Sequence, residues 1–192
     1  MTKKLSKEEK EKFRLAGENS LLRAGVGKMY FDLKLATFGK PGETILARME
    51  KITDFKKWVR TGHGFSLECK THKTFGIAPS LTRAMRLSGI DVRLVGVIDL
   101  KQYLDEPDAD YGYTPMDDFE NAKALVIRRF VEPTFAPYDA PTIQQIEYYL
   151  LKRIENGLSV SVQYQGDLRG RTHWTPHFLG MLADLNEKVM LA

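Results

Sequence analysis

The apolar positions between Glu43 and Arg60 are Ile45, Leu46, Met49, Ile52, Phe55, Trp58 and Val59, a three-and-four spacing that puts them on one side of a helix. The pattern predicts a single amphipathic helix over 43–60 that packs on a core. Beyond it the period changes. After the turn TGHG, residues 65–68 (FSLE) read as a short strand, and 79–89 (PSLTRAMRLSG) as a helix starting at Pro79 with Gly89 just past its end. Val92, Leu94, Val95, Val97 and Ile98 predict a second strand, and the apolar run 124–127 within AKALVIRRF a third. Residues 142–157 (TIQQIEYYLLKRIENG) predict a helix from a Thr142 cap to Gly157, and LSVSVQYQ (158–165) alternates as a fourth strand. The acidic stretch 105–118 and the proline-rich stretch 132–141 read as loops. Toward the N-terminus, Leu5, Phe13, Leu15, Leu21 and Leu22 form a ragged stripe, which predicts a frayed or partner-dependent helix ending near Gly25. Strands alternating with helices at this spacing predict an α/β three-layer sandwich around a largely parallel sheet. The expected organisation is a helical segment over 1–24 and one domain over 25–192.

Composition narrows this picture without redirecting it. At 192 residues and 43% hydrophobic content the chain suits one well-buried domain. Lys plus Arg exceed Asp plus Glu by 29 to 25, a balance compatible with an acidic partner but too small to name one. A single cysteine, Cys69, excludes an internal disulfide, and no Cys/His cluster has zinc spacing. With a charged N-terminus and no apolar run of membrane-spanning length, the expectation is a soluble cytoplasmic protein with no membrane partner.

The stretch GFSLECKTHKTFGIAPSLTRAM (64–85) runs from an apolar strand through a polar loop holding Lys73 and Thr74 into an amphipathic helix. That layout is the layout of a phosphate-binding loop. Taken with RAGVGKMYFDLKLATF (23–38), LSGIDVRLVGVIDLKQYL (87–104), AKALVIRRF (122–130) and YYLLKRIENGLSVSVQYQ (148–165), it resembles the AAA+ ATPase core of bacterial and phage replicative helicase loaders of the DnaC/DnaI type. Transposition helpers such as IstB share this wording. The resemblance implies a RecA-like P-loop core without a complete lid, and it also exposes departures. Against the glycine pattern of the family, LECKTHKT keeps Lys73 and Thr74 but has Leu67, Lys70 and His72 where glycines belong. Backbone N–H groups cannot converge on phosphates where a Cβ obstructs them. Where the family ends a strand with two acids, one for Mg²⁺ and one for the attacking water, this chain has Arg128 and Arg129. Its last residues, LNEKVMLA, fall about where loaders carry an arginine finger and begin the lid.

These departures imply a pseudo-ATPase with no catalytic residue, metal or cofactor. By resemblance it would serve replication of a phage or mobile element as accessory subunit, adaptor or inhibitor. Its partner would be a replicative helicase or a competent AAA+ helicase loader, with DNA a further candidate. The degenerate nucleotide site comprises Lys73, Thr74, Arg128 and Arg129. Candidate partner or nucleic-acid contacts are Arg128, Arg129, Arg153, Arg169, Arg171 and Trp174, the last three lying with His173 and His177 in the basic, aromatic stretch 166–178; Trp174 and Phe178 also suit a core. Gln163 and Gln165 fall near the family's polar sensor position, whereas alternation alone puts them on an exposed strand face, the reading preferred here. Gly25, Gly27 and Lys28 lead into a strand-like segment and are not read as a phosphate loop. A rival enzyme reading takes Glu68 and Lys70 as the metal-binding half of a PD-(D/E)xK nuclease, with Asp54 as upstream acid.

Overall fold

The computed structural model describes residues 6–51, 55–70, 75–106, 117–130, 140–166 and 174–191. Five strands form one sheet: β1 (Gly64–Cys69), β2 (Val92–Gly96), β3 (Ala124–Arg128), β4 (Ser159–Gln165) and β5 (Asn186–Leu191). Their spatial order is β2-β3-β4-β1-β5, and every neighbouring pair is parallel. Parallel strands require crossovers, which are right-handed in nearly all proteins. The chain leaves β1 by crossing to the far edge at β2, then returns strand by strand, so its connecting helices divide between the two faces.

On one face lie α1 (Lys7–Arg23), α2 (Lys40–Lys51), α3 (Phe55–Arg60) and α4 (Ile77–Leu87). They enclose a core with Phe65, Leu67, Leu94 and Val126. The other face carries α5 (Val97–Asp105), α6 (Asp117–Asn121), α7 (Ala140–Glu155) and α8 (Pro176–Leu185), packed on Val95, Leu125, Ile127, Val160 and Val162. Strand residues therefore alternate between two cores instead of between core and water, as expected for a parallel sheet covered on both sides. This overturns the exposed face expected for Gln163. Strand β4 lies between β3 and β1, its second face consists of Ser159, Ser161 and Gln163, and all three are buried.

Several boundaries move for local reasons. The second strand stops at Gly96 because the Asp99 carboxylate accepts the Gly96 N–H at 3.0 Å, which starts α5 at Val97. Helix α4 begins at Ile77, two residues before the expected start, with Pro79 still in the first turn, where its missing N–H has no helical partner to lose. Thr142 is buried inside α7, which starts at Ala140 with Pro141 in its first turn and not at the expected cap. The helix expected over 43–60 is described as α2 and α3, on either side of residues 52–54, which lie outside the described residues. Residues 25–28 lead into a 3-10 turn, Lys28–Tyr30, and not into a strand. Helix α8 and strand β5 had no counterpart in the sequence reading. Within LNEKVMLA, Asn186–Leu191 forms the edge strand β5.

The expected boundary near residue 24 falls in a segment held to the domain. Leu21 and Ala24 are buried, and Leu94 on the outer edge of β2 donates its N–H to the Ala24 carbonyl at 2.7 Å. Gly25 follows with a φ of 81°, and a Cβ there would lie 2.3 Å from the Leu94 oxygen. Only glycine fits so close to the strand. The preceding part of α1 is solvated on all sides from Lys7 to Gly17, supported by the Ser6–Glu9 capping box and by Arg14 between Glu11 and Glu18.

Candidate functional site

In open parallel sheets, ligands bind where the strands end, outside their carboxyl termini. Here that edge is formed by the ends of β1, β3 and β4. Lys70 is exposed beyond β1, and its carbonyl accepts a long hydrogen bond from Gln165 Nε2 at 3.5 Å. Gln163 Nε2 donates to the buried Cys69 Sγ at 3.2 Å, so this glutamine ties β4 to β1 beneath the edge and does not face solvent. Lys73 and Thr74 lie outside the described residues, as do Asp54, Arg169, Arg171 and His173.

Strand β3 delivers the two arginines. Arg128 extends past Gly96, its register partner on β2, and its Nη2 is 3.9 Å from Asp99 Oδ2. That is the outer limit of an ion pair, and the Asp99 oxygen already accepts the Gly96 N–H. Arg129 has a φ of 55°, a left-handed conformation that costs a residue with a Cβ roughly 1–2 kcal/mol. Its guanidinium lies 5.2 Å from the centroid of the Phe75 ring, at the entrance to α4, in cation–π range. Two adjacent cations therefore fan out over the edge, one toward β2 and α5, the other toward α4.

The first turn of α4 is closed by the chain's own lead-in. Ile77, Ala78, Pro79, Ser80, Leu81 and Thr82 are all buried. Leu33 and Phe38 press on Gly76, where a Cβ would meet Leu33 Cδ2 at 2.7 Å and Phe38 Cζ at 3.0 Å. This strap is fixed at both ends: Arg83 Nε donates to the Phe31 carbonyl at 2.7 Å, and Gly42 in α2 packs directly on the Leu35 carbonyl.

Two expected contact residues turn out to be internal. Arg153 is 3% exposed and donates to the Phe119, Glu120 and Ala122 carbonyls at 2.6, 3.2 and 2.7 Å, which closes the C-terminal end of α6. Burial holds its guanidinium below the usual arginine range, and pushes the neighbouring Tyr149 and Tyr103 hydroxyls above the usual tyrosine value. Trp174 is stacked on Phe130 at 4.5 Å between ring centroids and tilted against Phe178. The side chains of Arg153 and Trp174 are both buried. The sequence did hold the signal for Arg153: with Ile143, Ile146, Glu147, Leu150 and Ile154 it lies on the buried stripe of α7. Glu147, from the same stripe, was missed. Its carboxylate accepts the Thr175 N–H at 2.9 Å and the Thr175 hydroxyl, anchoring the start of α8.

Of the expected nuclease residues, Asp54 lies outside the described residues. Glu68 pairs with Lys188 on β5 at 2.6 Å, and the described residues contain no group of three or more His, Cys, Asp or Glu positioned to hold a metal. An edge bearing Arg128 and Arg129 repels a divalent cation and attracts an anion.

No helix among the described residues is long and apolar enough to cross a membrane. No family model matches the chain, and no curated protein matches it. Solved structures do. The DnaC helicase loader superposes with a TM-score of 0.61 at 14% identity, over 86% of this chain and 100% of that one. DnaI superposes with a TM-score of 0.52 at 10% identity, covering 86% and 91%. AMPPCP-bound DnaA from Aquifex aeolicus gives 0.59 at 8% identity, and there the match spans 86% of this chain but about half of DnaA, 51%. With its five parallel strands and flanking helices, the chain has the α/β fold of the AAA+ domains of helicase loaders.

Proposed function

We propose that this domain works in DNA replication as a helicase-loader-like subunit that neither binds nor hydrolyses ATP, an accessory subunit, adaptor or inhibitor acting on a replicative helicase or on a competent loader. One observation carries the reading: the third strand ends at Arg128 and is followed by Arg129, where the resemblance calls for two acids. Guanidinium groups are always protonated and cannot ligate Mg²⁺. The strap over the first turn of α4 supports the same reading, because phosphate binding at a helix start needs amides that face the ligand.

Thermal unfolding with millimolar ATP and Mg²⁺ tests the nucleotide half. A ligand that binds only the native state raises Tm in proportion to RT ln(1 + [L]/Kd), so the expected result is no shift. A clear ATP-dependent rise, or ATP turnover lost in Lys73→Ala, overturns it. The partner half is tested by co-sedimentation with a purified replicative helicase or its loader, for which a stoichiometric complex is expected and none would refute the assignment.

A further inference from the structure

We propose that the amino edge of the sheet, opposite the edge that carries Arg128, binds single-stranded nucleic acid, with an unpaired base stacked on His63 and phosphates met by Arg60, Lys123 and Lys152. This goes beyond the preceding reading and does not rest on it, because that reading concerns the other edge. Three observations lead to it.

First, an aromatic ladder climbs from the core to this edge. Phe55 and Trp58 pack on the core with their rings stacked at 5.7 Å and 24°, and Phe65 tilts against Trp58 at 5.2 Å. His63 continues the stack on Trp58 at 5.5 Å and 23°, and it is only partly buried. Its ring is held in place: the Thr61 hydroxyl donates to the Trp58 carbonyl at 2.8 Å, so its oxygen accepts from His63 Nδ1 at 3.0 Å. An oriented ring at the end of a stack offers an unpaired base a platform at little entropic cost.

Second, two glycine turns bring cations from both faces of the sheet to this edge. Gly62 and Gly157 follow α3 and α7 with φ of 88° and 70°, and a Cβ on Gly62 would lie 3.6 Å from Gly157 Cα. Lys123 joins them, since its carbonyl accepts the Ser159 N–H at 3.1 Å and the preceding Ala122 carbonyl accepts from Arg153 at 2.7 Å. Arg60, Lys123 and Lys152 thus come to one edge, and all three are exposed.

Third, these cations are not neutralised. Glu155 is the single acid in 56–63, 121–124 and 152–159. Among the described residues Arg60, Lys123 and Lys152 form no ion pair, whereas Arg86 and Arg93 share Asp91. Cations in the last turn of a helix also answer to its dipole, but a dipole gives no reason for the ring. Charge alone would suit an acidic peptide equally; charge beside a stacking platform suits a strand whose bases are unpaired.

The test is fluorescence anisotropy on the full chain with labelled oligo-dT, an oligo-glutamate peptide of matched length and charge, and a blunt DNA duplex. Oligo-dT is expected to bind most tightly. His63→Ala should weaken it at least about fivefold, the low end for one lost base stack, whereas His63→Phe, which keeps a ring, should restore most of the affinity. Arg60→Ala with Lys123→Ala and Lys152→Ala should reduce the slope of log affinity against log salt by about 0.7 for each phosphate contact removed. If His63→Ala unfolds the domain, as its melting curve would report, the charge variant decides. Absence of saturable oligo-dT binding, equal or tighter binding of the peptide or the duplex, or binding unaffected by these changes would each overturn the proposal.

Discussion

Arg153 and Arg128 carry the same side chain, and both were candidate contacts. The fold separates them. Arg153 comes from the buried face of α7 and gives hydrogen bonds to three backbone carbonyls, whereas Arg128 ends a strand with its side chain 43% exposed. Burying a charge is tolerated only when donors and acceptors are matched, so a buried arginine answers to the architecture around it. An exposed one at a sheet's carboxyl edge has no such duty. The contrast shows that arginine content cannot locate a binding surface, but the periodicity on which each arginine sits can.

The largest effect that would sharpen this contrast is on stability. Arg153→Ala strands carbonyls that have lost their donor at about 1–3 kcal/mol each, so urea unfolding should show a loss of at least about 3 kcal/mol. Arg128→Glu with Arg129→Glu should change the same midpoint by less than about 1 kcal/mol, as surface charges do. Equal losses would erase the distinction between the two sites. A smaller loss is expected at Glu147. Its replacement by Ala removes the anchor of α8, and a lost helix cap costs about 0.5–2 kcal/mol. Hydrogen exchange should then rise in α8 before it rises in α7; unchanged protection would mean that the Trp174 stack alone holds the helix.

The smallest effect is on alkaline stability. Burial raises the Tyr103 and Tyr149 hydroxyls above the unfolded value of 10.0. The folded state therefore holds these protons longer than the unfolded chain, and stability falls as pH climbs above about 10, being fully present below it. Tyr103→Phe with Tyr149→Phe should flatten that decline in urea titrations at successive pH values. An unchanged slope would place its origin elsewhere.

Strands β1 to β4 were legible because each contains an unbroken or alternating apolar run bounded by turn formers. Strand β5 was not. In NEKVML the apolar residues come last, and α8 runs into the strand at Asn186 with no intervening turn residue. Gln163 was misjudged because alternation reports that two faces differ, not that one is wet: the polar face of β4 is buried, with Ser161 Oγ accepting the Phe65 N–H at 3.0 Å. At the candidate site the sequence located Arg128 and Arg129 correctly at the end of a strand. It offered no view of the strap, because the closure of α4 depends on residues 33 and 38 meeting residue 76 in space.

The strand order has one more consequence, for how the chain acquires its shape. Strand β1 is flanked by β4 and β5, so its pairing bridges long spans of sequence: 96 residues separate Phe65 from Ser161, and 120 separate Ser66 from Asn186. Folding slows as contacts become more distant in sequence, since loop-closure entropy must be met before such contacts form. During synthesis β1 leaves the ribosome long before either neighbour exists, with two unpaired edges and the apolar Phe65 and Leu67 in reach of other chains. Strand β1 is thus paired only after β4 and β5 have been made, and until then it needs protection from aggregation.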